Sequence, residues 1–112
     1  MALTIEHITF DCHDARALAG FWSTATGRAI EDDSGDFVRL TPGQGGIRLA
    51  FQEVPEDKIA KNRMHLDINS DDMAETVNNL VALGASVVAE HSSPNATWTV
   101  MQDPEGNEFC VN

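Results

Sequence analysis

The feature that most restricts what this chain can fold into is a pattern of strand, helix and three strands that occurs twice. Residues 5–11 alternate, with Ile5, His7, Thr9 and Asp11 on one side and Glu6, Ile8 and Phe10 on the other, as a strand requires. Asp14 is placed to cap a helix carrying Ala15, Leu18, Ala19, Trp22 and Ala25 on one face, and Thr26-Gly27 ends it. Short strands are predicted at 28–31, 36–41 and 46–52, separated by Asp33-Ser34-Gly35 and Pro42-Gly43-Gln44-Gly45 turns. After a polar stretch at 55–62 the order returns. It runs through a strand at 63–69, a helix capped by Ser70 and carrying Met73, Val77, Leu80 and Val81, a Gly84 stop, and strands at 86–91, 97–102 and 107–111. His7 precedes Gly27 by 20 positions and His65 precedes Gly84 by 19, which sets the halves in matching register.

The expected architecture is therefore α+β, with two βαβββ modules in one domain spanning 1–112: module 1 at 1–54, a linker at 55–62 and module 2 at 63–112. Each module is too small to be stable alone. Each would turn one apolar sheet face to its helix and leave a polar face to meet its counterpart. Ile8, Phe10, Met64, Leu66, Ile68, Phe109 and Val111 are expected to pack. His7, Thr9, Asp11, His65, Asp67, Asn69, Glu108 and Cys110 are expected to face away. The fourth strand sets Ile47, Leu49 and Phe51 against Arg48, Ala50 and Gln52. If the sheets curl together, two imidazoles, several carboxylates and a thiol converge on a cleft, more polarity than a dry sandwich core tolerates.

Charge narrows the partners. Eighteen acidic against seven basic residues give −11, which argues against nucleic acid and against an anionic membrane. The excess would attract a cationic ligand or serve solubility alone. Glu31-Asp32-Asp33 and Asp71-Asp72 read as turn and helix-start acids. No apolar run approaches the roughly 20 residues of a membrane helix. Met1-Ala2-Leu3-Thr4-Ile5 has neither the basic head nor the cleavage site of a signal peptide. A cytoplasmic location with Cys12 and Cys110 reduced is the resulting expectation.

His7, then Asp14, Leu18 and Phe21-Trp22; Arg63-Met64-His65-Leu66-Asp67 with Leu83-Gly84-Ala85; Trp98-Thr99-Val100-Met101; and Asp103-Pro104-Glu105-Gly106-Asn107-Glu108-Phe109-Cys110 together resemble the glyoxalase-like, vicinal-oxygen-chelate superfamily. The resemblance covers essentially the whole chain, and the Asp-Pro-x-Gly-Asn turn is its most specific piece. It implies the glyoxalase/bleomycin-resistance/dioxygenase fold, with paired, curled mixed sheets around a small-molecule cleft. Relatives of this size commonly form homodimers, some exchanging modules.

Catalytic members hold a divalent metal with one ligand from each of four strands, typically two His and two carboxylates. The resemblance places His7 at the first position and His65 at the third. The second falls near Arg48, Ala50 or Gln52, and the fourth, usually Glu, falls on Cys110. Two readings follow. In one, a metal-poor cleft that includes Arg48, Gln52, Asp67, Trp98 and Met101 binds a small ligand without chemistry. In the other, zinc, nickel, iron or manganese at His7, His65 and Cys110 supports a lyase, isomerase or dioxygenase acting on vicinal oxygens, with Glu108 as ligand or general base. Arg48, if inward, would repel a cation and suit a carboxylate. Trp98 and Met101 are candidates for the cleft lining, although a large apolar strand residue is more often core, and Trp22 is read as core. Cys12 is read as buried, and His13 and His91 as exposed.

Overall fold

The structure, a computed structural model, describes Ala2 and residues 5–112. Met1, Leu3 and Thr4, on which the signal-peptide reading partly rests, lie outside the described residues. The chain divides into two compact units, Met1–Asp57 and Lys58–Asn112.

The first unit runs β1 (His7–Cys12), α1 (Ala15–Thr26), β2 (Ile30–Asp33), β3 (Phe37–Leu40) and β4 (Arg48–Glu53). Its four-stranded sheet has the order β1-β4-β3-β2. β1 lies parallel to β4, and the other neighbours are antiparallel. Asp14, in extended conformation, caps α1 by accepting the Ala17 N–H at 3.0 Å. Gly27 ends the helix at φ 73°, where a Cβ would be strained. Ala15, Leu18, Ala19, Phe21 and Trp22 are buried, at helical spacing. Phe10 meets Trp22 and Phe51 edge-on, with centroids 5.8 and 5.5 Å apart, and Val38, Leu40 and Leu49 complete the core.

The second unit repeats the plan with β5 (Leu66–Ile68), α2 (Met73–Leu83), β6 (Ser86–Ser93), β7 (Ala96–Gln102) and β8 (Glu108–Val111). The sheet order is β5-β8-β7-β6, with β5 parallel to β8. Both units are thus mixed sheets with one helix each, the α+β arrangement the repeat implies.

Four local expectations are corrected. α2 is capped by Asp72, whose carboxylate accepts the Glu75 N–H at 3.1 Å, and not by Ser70. The Ser70 N–H and hydroxyl instead donate to the Asn112 carbonyl at 2.9 and 2.8 Å, extending the β5–β8 pairing beyond its last strand residue. Met64 is 78% exposed, because β5 begins only at Leu66 and no ladder holds the preceding residues to strand alternation. Val81 is exposed, leaving Leu80 as the buried residue of α2. Met101 is fully buried opposite Phe109, so its side chain belongs to the core with Val111 and does not line a polar face.

The Asp103-to-Asn107 turn is held from within. The buried Asp103 carboxylate accepts the backbone N–H groups of Glu105 and Asn107 at 2.9 and 3.0 Å, and the Asn107 amide at 2.9 Å. This turn launches β8, so it fixes where Glu108 and Cys110 fall. Asp103→Ala strands three half-buried donors and should cost about 2–4 kcal/mol in urea denaturation. Asp14→Ala removes one helix cap and should cost about 1 kcal/mol. Equal losses in the two variants would contradict this assignment.

Candidate functional site

Parallel pairing and strand parity assemble a polar sheet face in each unit. In the first, His7 lies opposite Arg48, and Thr9 and Arg39 both lie opposite Ala50. His7, Arg39 and Arg48 therefore share the face turned from α1. Opposite them, the β2–β3 register slips between Ile30 and Asp32, so Glu31 is the extra residue of a bulge. The slip brings adjacent acids to one guanidinium: Arg39 donates to Glu31 at 3.1 Å and also pairs with Asp32. Arg48 donates to the other Glu31 oxygen at 3.2 Å. Arg39 Nη1 also donates to His7 Nε2 at 3.3 Å. A guanidinium can only donate, so the His7 Nε2 lone pair is the acceptor. Glu31 and Asp32 are accordingly strand residues and not turn acids, whereas Asp33, the last residue of β2, does serve the turn through the Gly35 N–H. Asp33 meets Arg16 and the Gly35 N–H, which hold its carboxyl below the usual carboxylate range.

In the second unit, Asp67 lies directly opposite Cys110 across the parallel β5–β8 pair, and His65 stands two residues earlier. His65 Nδ1 lies 3.0 Å from Asp67 Oδ1. The donor atoms of His65, Asp67 and Cys110 all lie within 4.8 Å of one another. His65 and Asp67 are exposed and Cys110 is half-buried, so the group is reachable from solvent. Burial pushes the Cys110 thiol up from its ordinary value. The Asp67 charge and a hydrogen bond to Asp67 add to this, against a smaller opposing pull from Lys61. Without a cation, Cys110 is a thiol and not a ready nucleophile.

Glu108 is engaged elsewhere. Its side chain is 12% exposed and ion-paired with Lys58 at 3.4 Å. It also accepts the Asn62 N–H at 3.1 Å. In the amide orientation that satisfies both partners, Asn62 donates to Glu108 Oε2 at 2.8 Å and accepts the Glu108 N–H at 3.3 Å. Burial alone would raise the Glu108 pKa, but Asn62, the Glu108 backbone and Lys58 together bring it below the ordinary value. Glu108 thus pins residues 58–62 to β8. An open depression of about 390 Å³, lined by Lys58, Lys61, Gln102, Glu105 and Glu108 among others, lies beside this segment.

The remaining candidates are placed singly. The Gln52 amide donates to the Asp36 and Glu53 carbonyls at 3.2 and 3.3 Å. Trp98 stacks on exposed His91, with centroids 5.4 Å apart. His13 donates to the Glu56 carbonyl at 2.9 Å, and Cys12 is buried. Arg39 and Asn62 escaped the sequence reading. Arg39 alternates correctly on β3, but its partners depend on a bulge that no local pattern announces.

The donor sets decide what each face can hold. A magnesium- or manganese-type centre requires hard oxygen and imidazole donors and no competing cation. The polar sheet face of the first unit supplies one imidazole, His7, whose Nε2 is engaged by a guanidinium, and a second guanidinium directly opposite, so it does not fit such an ion. Imidazole, carboxylate and thiol on the second unit fit a borderline cation of the zinc class.

Two measurements check these placements. Glu108 is depressed, so its stabilising effect is complete above the ordinary value of 4.5 and is lost as pH falls through its native value. The melting temperatures of the parent protein and Glu108→Gln should differ at neutral pH and converge in acid; a gap constant with pH would contradict the assignment. In a Cys12→Ser background, Asp67→Asn should speed iodoacetamide alkylation of Cys110 several-fold at pH 8. An unchanged or slower rate would remove Asp67 as a contributor, beside burial, to the raised thiol.

A family model described as glyoxalase-like domain matches residues 7–112. No curated protein matches the chain. Among solved structures, a glyoxalase/bleomycin resistance protein/dioxygenase family enzyme from Burkholderia phytofirmans PsJN is 18% identical with TM-score 0.81, covering 98% of each chain. The fosfomycin resistance protein FosX from Listeria monocytogenes (an E126Q mutant complexed with manganese and a dihydroxypropylphosphonic acid) is 16% identical with TM-score 0.79, covering 100% of this chain and 90% of its own. The bleomycin-binding protein of Streptomyces verticillus, complexed with copper-bleomycin, is 18% identical with TM-score 0.66, covering 100% and 97%. These likenesses establish a shared fold. With the repeated βαβββ plan and a family match running from His7 to the last residue, the chain belongs to the glyoxalase-like domain family of the vicinal-oxygen-chelate superfamily.

Proposed function

We propose that this protein binds a small molecule on its polar sheet faces and does not operate the four-ligand, hard-metal centre of catalytic relatives. The observation that carries this reading is the Arg39 guanidinium donating to His7 Nε2, with Arg48 opposite His7 in the same face. An imidazole whose lone pair receives a guanidinium hydrogen bond is not available to a cation. Both arginines are neutralised by Glu31 and Asp32, so this face offers hydrogen bonds more than net charge to a ligand. Glu108, held by Lys58 and Asn62, acts in this reading as an anchor for residues 58–62 and not as a general base. The protein is further proposed to work as a cytoplasmic homodimer, by analogy with relatives of its length. Light scattering checks the oligomeric state.

A metal-dependent lyase, isomerase or dioxygenase acting on vicinal oxygens is the second reading. The observation favouring it is the closeness of the His65, Asp67 and Cys110 donors.

Calorimetric titration with manganese(II) at neutral pH separates the two. Small-molecule binding without a hard-metal centre predicts no saturable manganese uptake, together with thermal stabilisation by a member of a panel of cationic drugs and small carboxylates. A ligand at a hundred times its Kd adds about 2.7 kcal/mol to stability, an easily read shift. Stoichiometric manganese binding that is lost in both His7→Ala and His65→Ala would overturn the proposal and restore the lyase-type reading.

A further inference from the structure

We infer that the depression beside residues 58–62 binds a small organic monoanion, a carboxylate carried on an apolar body. The inference rests on the small-molecule reading above and names the class of ligand. It begins with where the chain keeps its positive charge. Lys58, Lys61 and Arg63 are the only lysines and arginines of the second unit, and they fall within residues 58–63. A chain of net charge −11 repels an anion over most of its surface, so an anion site must lie where the cations stand. The depression meets that condition. It is lined by Lys58, Ile59 and Lys61 from the basic segment, and by Gln102, Glu105 and Glu108 from the ends of β7 and β8 and their connection. Its volume of about 390 Å³ lies at the small end of the range of ligand pockets.

The contacts within the segment decide which charge is available. Lys58 is used inside the protein, paired with Glu108 at 3.4 Å and donating to the Ala60 carbonyl. Glu108 also accepts the Asn62 N–H at 3.1 Å, so both ends of the segment are tied to one carboxylate. Lys61 stands between these two anchors and has no acid within ion-pair distance among the described residues. Its charge opposes the effect of Asp67 on the Cys110 thiol, which sets the free ammonium within electrostatic reach of the polar sheet face. Gln102 lies opposite Glu108 across β7 and β8 and is half-buried. Its amide has no hydrogen-bond partner among the described residues, so it can donate to a ligand oxygen.

Glu105 and Ile59 narrow the ligand further. One free ammonium beside one carboxylate accommodates a single negative charge and penalises a second. A monocarboxylate is therefore favoured over a phosphate dianion. Ile59 is 92% exposed and offers apolar surface at the same depression. A ligand body that covers it gains about 25 cal/mol for each Å² removed from water.

Titration of the full-length protein with benzoate, at neutral pH and about 0.15 M salt, tests the inference through backbone amide shifts in two-dimensional NMR. Saturable shifts are expected at residues 59–61, 102 and 106, with neutral benzamide and cationic benzylammonium far weaker. Lys61→Gln should weaken benzoate about threefold to fivefold, the effect of one solvent-accessible ion pair. Glu105→Gln should tighten it and raise the affinity for phenyl phosphate. Arg28→Gln removes a cation of the first unit and should leave the titration unchanged. Far-ultraviolet circular dichroism confirms that each variant is folded. Shifts that do not saturate, benzamide or benzylammonium binding as tightly as benzoate, or full affinity in Lys61→Gln would each overturn the inference. If benzoate fails while a cationic compound binds, the anion site falls and the small-molecule reading stands. If no compound of either charge binds, both fall.

Discussion

Each unit is organised by one long-range interaction, the parallel pairing of its first strand with its last. Residues some forty positions apart become neighbours through it: His7 with Arg48, and Asp67 with Cys110. Parallel neighbours cannot be joined by a tight turn, so the intervening helix and two strands are the crossover that makes the pairing geometrically feasible. The pairing sets side-chain parity as well as proximity. A shift of one residue in either ladder would send the polar set into the core and the apolar set into solvent.

The two units spend this arrangement differently. In the first, the β2 bulge delivers Glu31 and Asp32 to the arginines, and Arg39 in turn occupies the His7 imidazole. The result is a neutralised, internally bonded polar face whose hydrogen bonds fix side-chain positions. Half-buried groups of this kind persist only where their partners are supplied, because an unpaired charge there costs several kilocalories per mole. In the second unit the last strand divides its work by parity and by position. Glu108 is consumed in holding residues 58–62, whereas Cys110, two residues on, remains beside Asp67 and His65. Both outcomes rest on the Asp103 turn, which determines where β8 begins.

Much of this was legible from the residues, because it depends on local chemistry. Asp14 and Gly27 mark the ends of α1 through side-chain capping and left-handed backbone. The Asp103-to-Asn107 turn is written in its own hydrogen-bonding groups, and alternation in β1, β4 and β8 separates packed from polar positions. The misreadings occurred where two local solutions compete or where a partner is remote in sequence. Ser70 and Asp72 are both chemically able to cap α2, and the choice was made by the Asn112 carbonyl across the sheet. Met64 continues an alternating pattern, yet the ladder that would enforce it starts two residues later. Met101 carries no local mark separating core from cleft; its place opposite Phe109 decides. At the candidate sites, His65, Asp67 and Cys110 could be assigned to one face by parity, but their mutual approach required the parallel register. Arg39 required a bulge, and the Lys58 and Asn62 hold on Glu108 required the path of an irregular segment.

The most direct test is a nuclear Overhauser measurement across the two parallel ladders in the folded protein. Cross-strand contacts between His7 and Arg48 and between Asp67 and Cys110 are expected. Contacts displaced by one residue in either ladder would contradict the parity on which both polar faces rest.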